Sequence, residues 1–180
     1  MKELYAKTIL YSYSALSAVA EQIDELVEKK ALASMTDFSS ALSQCEKIIS
    51  LTAQKDVLLF IAISVEKALE KFSVLEKQYF DYKYFRQRPR DFDWCFEPSS
   101  RAYFRAQIRL ARKFAERLER AGITDDYFEN ECLKIDFFKE LLKRTEEHEL
   151  LSRKNKSRKE KELAKRFTAW LFVFVFVAAR

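Results

Sequence analysis

One glycine in 180 residues is the feature that most restricts this chain. Hairpin turns, Rossmann crossovers and phosphate-binding loops all need residues at positive φ, and glycine is the residue that occupies them without steric cost. With Gly122 alone, and only Pro89 and Pro98 as further breakers, a β-rich or doubly wound fold has no turn chemistry to build on. The content of charged residues (34%) and hydrophobic residues (48%) instead suits long, packed, amphipathic helices. The expected class is all-α: a long N-terminal helical hairpin, then a helix-turn-helix, then C-terminal helices.

The apolar spacing supports this. Ala6, Ile9, Tyr13, Leu16, Ala20, Ile23 and Val27 follow alternating steps of three and four, the seam of a helix packed in coiled-coil fashion, so one helix is predicted over about 2–34. Thr36 to Ser40 is rich in capping residues, and Leu58, Ile61, Val65, Ala68 and Phe72 repeat the spacing, giving a second helix over about 41–72. Ser73 with Glu76 three residues on forms a capping box for a helix to about Phe85. Pro89 suits the first turn of a short helix to about Phe96, and Glu97-Pro98-Ser99 a tight turn. Ser99 or Ser100 then caps a long helix that ends at Ala121, with Gly122 as its C′ residue. Thr124 caps an interrupted helical stretch to about Leu151. Four segments result: 1–72, 73–121, 122–151 and 152–180.

Few functions survive the composition. Cys45, Cys95 and Cys132 are odd in number and widely spaced, so neither a disulfide framework nor a zinc knuckle is indicated, and a reducing cytoplasm fits. The single histidine, His148, lies among glutamates and reads as a solvated helix residue. No metal cluster, cofactor loop or nucleophile motif is present in the sequence, and the chain reads as a non-enzyme without metal or cofactor.

Charge is distributed unevenly. Residues 83–120 carry 11 basic against 5 acidic side chains, and 152–180 carry 9 against 2. Phe104, Ile108, Ala111, Ala115 and Leu118 recur at steps of four and three and so share one side of a helix. Arg101, Arg105, Arg109 and Arg112, with Lys113 four residues after Arg109, share the side next to it. An apolar face thus adjoins a cationic one, and Glu116 and Glu119 interrupt the cationic face only toward the C-terminal end. Such a stripe suits duplex DNA, because arginines neutralise phosphates and chelate guanine edges in the major groove. The competing reading is a solvated face that keeps a helical bundle soluble.

Residues Lys71 to Phe85 (KFSVLEKQYFDYKYF), followed by Ser100-Arg101-Ala102-Tyr103-Phe104-Arg105 and the basic helix, resemble the promoter-reading fourth region of sigma-70-class RNA polymerase sigma factors and phage-type regulators sharing its helix-turn-helix. The resemblance covers about residues 71–120. It implies a DNA-binding transcriptional regulator of the nucleoid, with Ser100, Arg101, Tyr103, Arg105 and Arg109 facing double-stranded DNA; Arg112 and Lys113 join this expected DNA surface from the cationic face. It also places Leu75, Phe80, Phe85, Phe104 and Ile108 in the core. The N-terminal hairpin, outside the resemblance, is expected to be a scaffold or a surface for a protein partner such as RNA polymerase. Residues 91–97 depart from the family's small-residue helix and glycine turn.

The C-terminus leaves alternatives open. A basic run from Ser152 to Lys159 precedes thirteen uncharged residues, Phe167–Ala179. As a helix they would span about 20 Å, short of a hydrocarbon core of about 30 Å. A membrane-surface anchor, packing on the protein's own helices and an aberrant tail all fit. The alternative function is therefore a helical interaction module recruited to a membrane surface by this segment.

Overall fold

The computed structural model describes residues 1–36, 41–85 and 101–151, which are helical throughout apart from short connections; no strand occurs among them. Helix α1 spans Glu3–Thr36 and α2 spans Ala41–Glu70. Their pairing is antiparallel. Lys55 on α2 bonds Asp24 on α1 through both carboxylate oxygens at 2.6 and 2.8 Å, and Tyr13 donates to Glu66 at 3.4 Å, so moving forward along one helix moves backward along the other. The three-four seam of the sequence forms the joint: Ala6, Ile9, Leu16, Ala20 and Ile23 are buried, as are Leu58, Ile61, Val65, Ala68 and Phe72.

Helix α3, Val74–Phe80, begins at the capping box expected of Ser73 and Glu76. The Glu76 N–H donates to the Ser73 hydroxyl at 3.3 Å, and the Ser73 N–H donates to the Glu76 carboxylate at 3.0 Å. The helix does not continue as α to Phe85. Residues Asp81–Phe85 form a π-helical turn, which widens the coil by one residue and re-aims the side chains that follow. Two aromatic residues are thereby brought against α1: Tyr84 lies 4.8 Å from Tyr11 and Phe85 5.1 Å from Tyr13, ring centre to ring centre.

Helix α4, Arg101–Arg120, packs on α1 and α2 and runs antiparallel to residues 72–85. Its N-terminal Tyr103 stacks on Tyr79 at 5.6 Å and meets Tyr82 edge-on at 6.2 Å, whereas Lys113 reaches Glu76 at 2.9 Å and Arg117 covers the Phe72 ring at 3.7 Å. The helix stops as its sequence requires. Gly122 has φ +94°, and the Gly122 and Ile123 N–H groups bond back to Glu119 and Leu118 carbonyls, satisfying acceptors that the helix end leaves open.

Thr124 caps α5, Asp125–Asn130, by accepting from the Tyr127 N–H. A 3₁₀ turn at Cys132–Lys134 leads into α6, residues 136–151. Phe128 is fully buried and stacks on Tyr5 of α1 at 4.5 Å. Residues Met1–Leu142 make one compact unit, in which the segments read as 1–72, 73–121 and the start of 122–151 contribute to a single core. A second unit starts at Lys143; of it, residues 143–151 are described and are helical. The expected short helix at 89–96, the turn at 97–99, the caps at 37–40 and the segment 152–180 lie outside the described residues.

Candidate nucleic-acid interface

Which side of α4 is free depends on how its buried side turns along the axis. In the N-terminal half Tyr103, Ala106 and Leu110 are buried, and the same strip continued by steps of three and four would run on through Lys113 and Arg117. The buried residues of the C-terminal half are instead Ala111, Phe114, Ala115 and Leu118. Most stand one place farther on in sequence, so the covered arc swings by about a quarter turn. Phe104 and Ile108 lie on the backward extension of this second strip, where α4 has already turned it away from the core, and they are 54% and 52% exposed. This corrects their expected place in the core. Leu75, expected there as well, is also exposed on α3, whereas Phe80 is buried and Phe85 partly so.

Tyr103 is corrected in the opposite sense. Expected at the DNA surface, it is only 4% exposed, its ring fixed by Tyr79 and Tyr82 and its hydroxyl accepting from Gln107 Nε2 at 2.6 Å. Burial pushes the phenol up to about 12, with neighbouring tyrosines adding to the effect. A residue with its polar end already satisfied inside the fold loses little by being buried, so the Tyr103 hydroxyl is no obstacle to its facing inward.

Two of the cations hold the fold. Lys113, expected at the DNA surface, bonds Glu76 at 2.9 Å and lies over the Phe72 ring, so it is a strut between α4 and α3. Arg117 donates to the Ala68 and Lys71 carbonyls at 3.1 and 2.9 Å. It closes the C-terminal end of α2, where carbonyls lack helical partners and the helix dipole favours a cation. Arg117 follows Leu110 by two helical turns, at the border of the buried arc, and the sequence alone carries no signal that its guanidinium has internal partners.

The remaining arginines form a surface. Arg101, Arg105, Arg109 and Arg112 are all exposed, share one side of α4 by their steps of four, four and three, and have no side-chain hydrogen bond or ion pair with the described residues. At about 1.5 Å rise per residue they span about 16 Å of one helix face. The two acids farther along the helix are Glu116 and Glu119, and Glu119 is paired with the Met1 amino group at 3.0 Å. Ser100, the remaining expected contact, lies outside the described residues.

Other chemistry is sparse. Among the described residues no group of three or more His, Cys, Asp or Glu side chains is placed to hold a metal ion. Cys132 is buried, and that burial, reinforced by the nearby Glu131 charge, pushes its thiol up to about 12; such a thiol is a poor nucleophile at neutral pH. Leu42–Glu70 is the helix among the described residues that is long and apolar enough to cross a membrane, yet in this fold its Leu58, Ile61 and Val65 are core residues packed with α1. No protein-family model, curated protein or solved structure matches this chain.

Proposed function

We propose that this protein is a non-enzymatic, DNA-binding regulator that lays the outer face of α4 on duplex DNA. The observation that carries the reading is the set Arg101, Arg105, Arg109 and Arg112: four cations on one face, without internal partners among the described residues, on a helix whose other side is committed to the core. Cations in this arrangement gain by displacing counterions from phosphates, and those in the N-terminal half of a recognition helix reach base edges. The resemblance of residues 71–120 to the promoter-reading region of sigma-70-class factors favours the same partner. On this reading Lys113 and Tyr103 position the helix and do not touch DNA.

Replacing Arg105 and Arg109 together with alanine tests the proposal. Both side chains are exposed, so helicity and stability should remain near the parent values, while duplex affinity falls and the slope of log affinity against log salt flattens by about one to two. Unchanged affinity would remove α4 from the interface.

A second reading, recruitment to an anionic membrane surface, draws on the basic residues and uncharged run of 152–180. Deleting 152–180 separates the two. If α4 reads DNA, the shortened protein retains its sequence preference and loses only salt-sensitive affinity, because base contacts specify and a basic tail adds phosphate attraction. If membrane recruitment is the role, vesicle binding disappears with the deletion and the intact chain shows no sequence preference.

A further inference from the structure

The exposed Phe104 and Ile108 are the feature of α4 that a phosphate-binding face does not require. They are one helical turn apart in the N-terminal half of the helix, and they border the arginines. Phe104 follows Arg101 by three residues, and Ile108 follows Arg105 by three and precedes Arg112 by four, spacings that make neighbours on a helix surface. The Phe104 ring is held edge-on against the buried Tyr103 ring at 5.5 Å, which limits its freedom before any partner arrives. An apolar pair fixed beside a line of cations matches a ligand that carries apolar groups close to a row of phosphates.

We infer that Phe104 and Ile108 form an apolar reading surface for the C5-methyl groups of thymine in the major groove, with Arg101, Arg105, Arg109 and Arg112 holding the flanking phosphates and base edges. This rests on the duplex-DNA reading of α4 and adds the sequence feature recognised. The thymine methyl is the one apolar group that the major-groove edge offers, and the N-terminal half of a recognition helix is the part that approaches it. On α4 the exposed large apolar side chains are Phe104 and Ile108, a narrower face than the obvious competitor needs. A helix that lies in a membrane inserts a whole apolar face, and the other large apolar residues of α4, Leu110, Phe114 and Leu118, are buried in the core. RNA is disfavoured too, because uracil lacks the methyl group and the A-form major groove is closed to side chains.

The test uses the full chain and a random duplex pool. The selected duplex is resynthesised with each thymine replaced in turn by deoxyuridine, which deletes the methyl and leaves base pairing intact. Removal of a contacted methyl should weaken binding about fourfold, the equivalent of one buried apolar carbon, and that loss should vanish in Phe104→Ala or Ile108→Ala. The Arg105→Ala, Arg109→Ala protein should bind the thymine and uracil duplexes more weakly by the same factor. A selected duplex that tolerates deoxyuridine everywhere, yet is bound more weakly by the arginine variant, overturns the methyl-reading inference and leaves DNA binding standing. Failure to select any sequence, or Phe104-dependent binding to anionic vesicles in its place, overturns both.

Discussion

Tyr103 and Phe104 are adjacent, both aromatic, and have opposite fates. Hydrophobicity ranks phenylalanine first for burial, but Tyr103 finds two tyrosine rings and an internal amide for its hydroxyl, and Phe104 is left at the surface. Truncations along α4 should therefore be unequal. Phe114 has no exposed surface and touches Phe80 at 5.8 Å, so Phe114→Ala should cost about 3–5 kcal/mol, whereas Phe104→Ala should remain within about 1 kcal/mol of the parent. Chemical denaturation of the two variants measures the contrast; equal losses would place Phe104 back in the core. The same pair of residues marks the limit of sequence reading at this scale. A wheel averages the helix into one face, while the true partner surface changes along its length, from aromatic residues of 79–84 at one end to the hydrophobic core of the bundle at the other.

Individual elements were far more legible. The seams of α1 and α2, the Ser73–Glu76 box, the Gly122 stop and the Thr124 cap are local rules, and each is present in the structure. Local rules did not reveal the π-helical turn at Asp81–Phe85, since the packing that favours it lies in Tyr11 and Tyr13, about seventy residues away along the chain. Nor did they reveal that Glu76 serves two elements, capping α3 and bonding Lys113 of α4. Burial alone would raise the Glu76 carboxyl; the Lys113 ammonium and the Ser73 N–H outweigh it and hold it below the ordinary carboxylate range. Because the folded-state value is depressed, the stabilisation is present above the unfolded-state value and is lost as pH falls through the folded one. Glu76→Gln should thus be less stable than the parent at neutral pH, by about 1 kcal/mol for a partly exposed pair, and the gap should close in acid. Melting temperatures of both proteins from pH 7 down to pH 3 test this; a gap that persists at the acid end would assign the loss to shape and not to charge.

At the scale of the whole molecule, residues 2–5, at the start of α1, and α5 are tied together. The Lys2 ammonium and the Tyr5 hydroxyl both donate to Glu129, at 2.7 and 2.8 Å, and the Lys2 N–H donates to Asp125 at 2.6 Å. Beneath them Tyr5 stacks on Phe128. The groups joined are 124 residues apart in the case of Tyr5 and Glu129. This has a kinetic consequence. Contacts within α1 and α2 form between helices that are neighbours in sequence, but the Tyr5–Phe128 joint closes a loop that takes in nearly the whole compact unit, and such closure is entropically costly until the intervening helices have packed. The joint should be a latch set after the folding barrier. Phe128→Leu, which removes the stacking ring and keeps a smaller apolar side chain, should speed unfolding by up to about tenfold and leave the folding rate within about twofold, the pattern of a contact absent from the transition state. Stopped-flow folding and unfolding arms measure the two rates, and a matching fall in the folding rate would place the latch in the nucleus. With the latch as a late, reversible step, the lifetime of the folded protein is governed at the seam between its first and fifth helices, where residues 2–5 meet the helix that directly follows α4.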